Sequence, residues 1–148
     1  LNTASDIHIG EYRCYTDGEP FSATSGIYAT NVDRCYINNV DIIKTSNTGI
    51  TLDVEKGRIN DFYVNGGNIR GVSNEAILIN HIGEVIRDII FKNLYIREFG
   101  QAYHGVKVVA NAVYQPLLVE GFIKVNGNEG SFTSNITNGN IINKLVEI

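Results

Sequence analysis

Residues 37–52 contain the clearest copy of a repeat in this sequence. This copy reads Ile37-Asn38-Asn39-Val40-Asp41-Ile42 and, after six further residues, Gly49-Ile50-Thr51-Leu52. The pattern of its second half, a small residue followed by an apolar one, recurs at positions 26, 49, 76, 105 and 131. The steps between these positions are 23, 27, 29 and 26 residues. A period of this length indicates an architecture built from repeated units.

The region that leads into this stretch recurs in step with it. Residues 35–39 match 62–66, 89–93 and 117–121. Each unit therefore contains three short strands: one ends at an Asn or Gly, one follows directly, and one lies at the small-apolar pair. Alternation along the first strand predicts which side chains face inward. The inward set is Cys35, Ile37, Phe62, Val64, Ile89, Phe91, Leu117 and Val119. The outward set is Tyr36, Asn38, Tyr63, Asn65, Ile90, Lys92, Leu118 and Glu120.

Composition agrees with a coil of short strands and tight turns. The chain has 21 Ile and 13 Val against 7 Leu, together with 18 Asn and 15 Gly. β-Branched side chains favour strands, and Asn and Gly tolerate the left-handed backbone of turns. A single-stranded parallel β-helix explains both the bias and the repeat. An antiparallel sandwich or barrel is the alternative, although two-residue hairpin signals are scarce.

Length and charge limit the remaining possibilities. We expect residues 1–148 to form a single domain, with an irregular first coil or loop over 1–25. Because the chain lacks Met and starts at Leu1, we expect it to be part of a longer protein. A formal charge of −4 argues against a nucleic-acid partner. No apolar run approaches the ~18 residues that membrane insertion requires.

The repeat resembles the pectate-lyase-like superfamily, best at 37–52 and over roughly 26–109. This resemblance implies an all-β, right-handed parallel β-helix of about five coils with three short strands per coil. The superfamily includes polysaccharide lyases and hydrolases, bacterial adhesins and bacteriophage tailspikes. The long Asn- and Gly-rich units are most similar to the tailspikes and phage appendages. They imply a homotrimer on a virion tail appendage, or an extracellular protein, that recognises or depolymerises a bacterial surface polysaccharide. A non-catalytic structural shaft or adhesin segment is the alternative.

Two pairs of residues are candidates for acid/base catalysis. Asp61 and Asp88 share one repeat column, and stacked carboxylates shift each other's pKa as a glycoside hydrolase or lyase requires. Glu75 and His104 share another column and form a second candidate pair. The alternatives are an Arg-Asp ladder on a solvated corner, which would include Arg34, and a pair of exposed turn residues.

Carbohydrate binding is predicted from outward aromatic and amide side chains. These candidates are Tyr36, Asn38, Tyr63, Asn65 and Tyr95, and a tyrosine ladder that only stabilises adjacent coils is the alternative. Asp41 shares a column with Asn68 and Tyr95, and one Asp is not a calcium site. We expect no cofactor and no metal. Cys35 is predicted to be buried, and Cys14 lies in a different column.

Overall fold

The computed structural model describes residues 1–15, 25–53, 58–81, 86–110, 116–137 and 139–148. These residues form twelve β-strands and contain no helix. The strands are β1 (Asn2–Ile9), β2 (Tyr12–Tyr15), β3 (Ser25–Ile37), β4 (Val40–Ile43), β5 (Thr48–Asp53), β6 (Ile59–Arg70), β7 (Ile77–His81), β8 (Ile86–Arg97), β9 (His104–Ala110), β10 (Leu117–Ile123), β11 (Gly130–Ser134) and β12 (Ile141–Glu147). The predicted loop at 16–20 lies outside the described residues, as does part of the predicted irregular region 1–25.

The strands coil into a parallel β-solenoid, which confirms the predicted all-β, parallel β-helix class. Every recorded strand pair is parallel. One ladder runs β1-β3-β6-β8-β10-β12, and a second runs β3-β5-β7-β9-β11. The second ladder aligns Ile27, Ile50, Ile77, Val106 and Phe132. These pairs reproduce the steps of 23, 27, 29 and 26 residues read from the sequence.

Each coil has three segments, as predicted, but some strands continue from one segment into the next. The first segment lies before the Asn or Gly corner, as in 59–65. The second follows that corner, as in 67–70, and the third is the small-apolar strand, as in 77–81. In β6, β8 and β10 the first and second segments form one bent strand. The solenoid has about four turns rather than five, because the five strands of the third-segment ladder are separated by four steps.

The core lies inside the coil, and all eight residues predicted to face inward are buried. Within it the rings of Phe62 and Phe91 pack against each other in a tilted arrangement, with centroids 6.1 Å apart and an interplanar angle of 49°. The small residues of the repeat stand where the chain enters the third segment. A Cβ on Gly26 would lie 2.6 Å from Cγ2 of buried Ile42. The small-apolar pattern therefore records close packing at this corner.

The corner between the first and second segments requires unusual backbone. Gly67 has φ +128° and pairs with Val40, and a Cβ there would lie 1.9 Å from the Val40 carbonyl oxygen. Gly121 pairs with Leu94, with a register shift after Val119. The sequence alignment had placed Gly121 one position earlier, in the column of Gly66. That alignment was wrong because β10 turns its corner with one residue fewer than β8.

Candidate carbohydrate-binding surface

The first segments bend at the same position on successive coils, and charged residues occupy that bend. Asp6, Arg34, Asp61 and Asp88 have φ of 55°, 55°, 49° and 50°. They stand between residues that pair in register, such as Phe62 with Ile89. Left-handed backbone is uncommon for residues other than Gly, although Asp tolerates it better than most. The structure thus places Asp61 and Asp88 at equivalent positions of neighbouring strands, which are ~4.8 Å apart.

At the end of this column nearer the N-terminus, which we call its lower end, the charges of Asp6 and Arg34 neutralise each other. Arg34 donates from Nε and a terminal nitrogen to the two carboxylate oxygens of Asp6, at 2.5 and 2.8 Å. The hydrogen bond from Arg34 lowers the pKa of Asp6. Asp33 lies 3.3 Å from both Arg34 and Arg58. The predicted ladder stacked Arg34 on Asp61, whereas the ion pairs that Arg34 forms in the structure are with Asp6 and Asp33.

The upper end of the column differs, because no cation of the described residues forms an ion pair with Asp61 or Asp88. Both carboxylates lie near the phenol of Tyr63. Burial raises the pKa of Tyr63, and the negative charges of Asp61 and Asp88 raise it further. Two carboxylates on adjacent strands beside a phenol form an arrangement able to bind hydroxyl groups or to exchange protons.

Tyr36 and Tyr63 belong to a stacked aromatic ladder. The rings of His8 and Tyr36 lie 4.9 Å apart with an interplanar angle of 15°, and those of Tyr36 and Tyr63 lie 4.9 Å apart at 11°. Both faces of Tyr36 are therefore covered by neighbouring rings. A sugar at this position would meet ring edges and hydroxyl groups instead of a ring face. Asn38 and Asn65 are exposed beside the ladder.

Tyr95 does not join that ladder. It lies beyond the corner, on the second segment, where it pairs in register with Asn68 and Phe122. The guanidinium carbon of Arg97 lies 5.5 Å from its ring centroid. The five residues proposed from sequence therefore form two groups on neighbouring strips of the surface. The predicted column of Asp41, Asn68 and Tyr95 is present, and Asp41 accepts a 2.7 Å hydrogen bond from the Tyr15 hydroxyl.

Glu75 and His104 occupy equivalent positions on the third-segment side. Glu75 is only 4% exposed, so the expectation of an exposed turn residue is wrong for this member of the pair. Its recorded ion pair is with Lys107 Nζ at 3.6 Å rather than with His104. Sequence reasoning missed Lys107. The repeat alignment places Lys107 in the column of Thr51 and Leu78. That column lies three residues after the column of Glu75, so the alignment could have indicated a cation near Glu75.

Hydroxyl groups continue the Glu75 column toward the N-terminal coils. Ser25 Oγ lies 2.7 Å from Thr48 Oγ1 and 3.2 Å from Thr51 Oγ1. The Thr48 and Thr51 hydroxyls also bond to each other, and both residues are buried. Because these groups bond to one another, this part of the column holds adjacent coils together.

The described part of the chain contains no cluster of three or more His, Cys, Asp or Glu suited to a metal ion. Both cysteines are free thiols, and burial raises the pKa of Cys35 to about 11. Within the same ranges no helix is long and apolar enough to cross a membrane.

Comparison of the chain with protein-family models, with curated proteins and with solved structures finds no match. The coordinates establish a parallel β-solenoid on their own. The similarity of the repeat to the pectate-lyase-like superfamily receives no support from these comparisons.

Proposed function

We propose that this protein binds a bacterial surface polysaccharide along the outer side of its first segments. The observation that carries the proposal is the recurrence of sugar-binding chemistry on successive strands. Tyrosine hydroxyls, exposed amides and unpaired carboxylates each repeat at one strand spacing, ~4.8 Å. A regular polymer presents its own groups at repeated intervals, so it can engage several coils at once.

The contacts proposed for the sugar follow from the ladder geometry. The hydroxyls of Tyr36 and Tyr63 would share hydrogen bonds with the polymer, because both ring faces of Tyr36 and one ring face of Tyr63 are engaged by stacking. Asn38 supplies an amide donor and acceptor beside them, and Asn65 supplies an amide donor while its Oδ1 accepts a 2.9 Å hydrogen bond from Asn93. Tyr95 would contact the polymer on the neighbouring strip.

Cleavage of the same polymer would depend on Asp61 and Asp88. Retaining glycosidases hold two carboxyl groups ~5–5.5 Å apart, close to the strand spacing that separates these residues. A depolymerase of the tailspike kind would use one as acid and the other as nucleophile. Glu75 with His104 is the second proposed acid/base pair, although Glu75 is buried against Lys107.

We also propose that the protein belongs to a tailspike-like appendage on a virion, or is otherwise extracellular. Apolar side chains remain open at the end of the last coil: Val146 and Ile148 are 53% and 58% exposed. A homotrimer would cover such groups at its subunit contacts. We propose no nucleic-acid partner and no membrane insertion.

A structural shaft or adhesin segment is the second candidate, and the aromatic ladder favours it. A ladder whose rings cover each other stabilises adjacent coils without any ligand. The side-chain amides of Asn47 and Asn74 are likewise bonded to each other, at 2.5 Å.

The deciding experiment incubates the protein with a panel of bacterial capsular and cell-wall polysaccharides and measures binding and oligosaccharide release together. Asn65→Ala should weaken binding of a recognised polymer about fivefold, since it removes an exposed amide. Asn143→Ala, an exposed amide on the terminal strand β12, is the matched control. Release of products that stops in Asp61→Asn would establish a depolymerase.

Binding without release would leave a recognition module. Failure of every polymer to bind would contradict the proposal and favour the shaft.

A further inference from the structure

The second segments carry a column of positive charges. Arg70 pairs in register with Arg97 on the next coil. The backbone N–H of Lys124 donates to the Ile96 carbonyl, which places Lys124 on the following coil beside Arg97. Three consecutive coils thus present a cation at the same position. We call Arg70, Arg97 and Lys124 the basic column.

These cations are not neutralised by the described residues. Elsewhere on the coil Arg13, Arg34, Arg58 and Lys107 each form an ion pair with a carboxylate. In the described part of the chain, no carboxylate lies within ion-pairing distance of the basic column. Glu98, which follows Arg97, is exposed and forms no ion pair with any residue that the structure describes.

Such a column is unfavourable for the fold alone. Like charges directly opposite each other on neighbouring strands are destabilising. The chain as a whole carries a formal charge of −4, so an excess of basic residues does not explain the column. A bound polyanion would neutralise all three charges and turn the repulsion into attraction.

The neighbouring groups suit a sugar polymer. Tyr95 and Phe122 pair in register next to the basic column, and Phe122 is 53% exposed. They offer apolar contact area for the hydrophobic faces of sugar rings. Nε of Arg97 is enclosed and has no hydrogen-bond acceptor among the described residues. An unsatisfied buried donor is costly, and an anionic ligand that draws the guanidinium outward would relieve it.

We infer that the basic column, with Tyr95 and Phe122, binds the acidic groups of an anionic polysaccharide such as a polyuronate. This inference rests on the proposed function and names the charge class of its polymer. Charges on successive coils are ~4.8 Å apart, comparable to the length of one sugar in an extended chain. An extended polyuronate would therefore place successive carboxylates opposite successive cations.

The test measures binding of the full chain to alginate as the polyuronate, to dextran as a neutral polymer and to duplex DNA as another polyanion. Alginate should bind, and its affinity should fall as salt rises. Arg97→Gln and Lys124→Gln should each weaken alginate binding about tenfold. Lys144→Gln is the matched control, since this exposed Lys on the terminal strand β12 lies outside the basic column, pairs in register with Glu120 and should change binding less than twofold.

Lys124 is exposed, so Lys124→Gln keeps the test valid even if Arg97→Gln fails to fold. Binding to neutral polymers alone, untouched by Lys124→Gln, would overturn this inference and leave the proposed function standing. Binding of DNA as tight as that of alginate would also overturn it. Failure of every polysaccharide, alginate and the bacterial panel included, would overturn both.

Discussion

The first and second segments are formed by the same strands, yet their outer surfaces are opposites. On the first segments, His8, Tyr36 and Tyr63 stack, and Arg34 binds Asp6. On the second segments, Arg70 faces Arg97 with no carboxylate between them. The first surface satisfies its own interactions near the N-terminal coils and leaves charge uncompensated only at Asp61 and Asp88, whereas the second leaves all three cations of the basic column uncompensated.

The difference between the two surfaces follows from the way a parallel coil stacks equivalent side chains. Each outward residue lies directly over its equivalent on the neighbouring coil. Aromatic rings and amides gain from this arrangement, whereas like charges lose. A stacked ladder is therefore explained by stability alone, but a like-charge column indicates a partner outside the chain.

The largest expected effect is at the corner that separates the two surfaces. In Gly67→Ala the new Cβ would meet the Val40 carbonyl oxygen at 1.9 Å on a backbone of φ +128°. We expect a loss of about 3–5 kcal/mol in the free energy of unfolding, measured by chemical denaturation. Gly10→Ala is the control, since nothing lies within 4 Å of its Cβ. Equal losses in both variants would refute this account of the corner.

The ladder of the first surface predicts the next effect. Tyr36→Ala removes a ring held between two others and should cost about 1–3 kcal/mol in the free energy of unfolding. Tyr36→Phe keeps the ring and should change stability by about 0.5 kcal/mol or less. If Tyr36→Phe nevertheless weakens polysaccharide binding, the hydroxyl contacts the sugar. A Tyr36→Ala variant as stable as the native chain would show that the ladder contributes nothing.

Reversing one charge of the basic column should raise the stability of the protein and lower its affinity for alginate. Arg70→Glu places a carboxylate opposite Arg97 and should raise the free energy of unfolding by about 0.5 kcal/mol. The same variant should lose affinity for alginate. Lys92→Glu makes the same change in net charge beside neutral Asn65 and should not stabilise the protein. Destabilisation by Arg70→Glu would mean that the basic column is not repulsive.

The smallest expected effect is the pH dependence of the stability that the ion pair between Asp6 and Arg34 contributes on the first surface. The bond from Arg34 lowers the pKa of Asp6, so its contribution is complete above the unfolded pKa of about 3.9 and is lost as pH falls through the lower folded pKa. Asp6→Asn should therefore be slightly less stable than the native chain at pH 7. The two should converge in strong acid. Glu129→Gln, at an exposed carboxylate that forms no ion pair within the described ranges, should show no such convergence.

Much of the fold could be predicted from the sequence because the same short pattern recurs at nearly regular intervals along the chain. The small-apolar pairs and the first-segment alternation fix which residues stack and which are buried, and both predictions are confirmed. The exception is Gly121, where β10 drops one residue at its corner. A one-residue change in a turn leaves hydrophobic periodicity almost unaltered, so only the observed hydrogen-bond register reveals it.

The candidate site was less predictable. Sequence alignment placed Asp61 with Asp88 and Glu75 with His104 on equivalent positions, since columns follow from the repeat. It did not show that Glu75 is buried against Lys107, or that both faces of Tyr36 are covered. Those facts depend on side-chain directions across several coils.

The parallel coil, its steps and its inward face could thus be predicted from sequence, because they follow from spacing along one chain. Which outward groups neutralise each other, and which remain unpaired among the described residues, depends on how the coils are arranged in space. Ion pairing and ring stacking depend on distances between coils more than 20 residues apart in sequence. The basic column exists because three coils align Arg70, Arg97 and Lys124 in space.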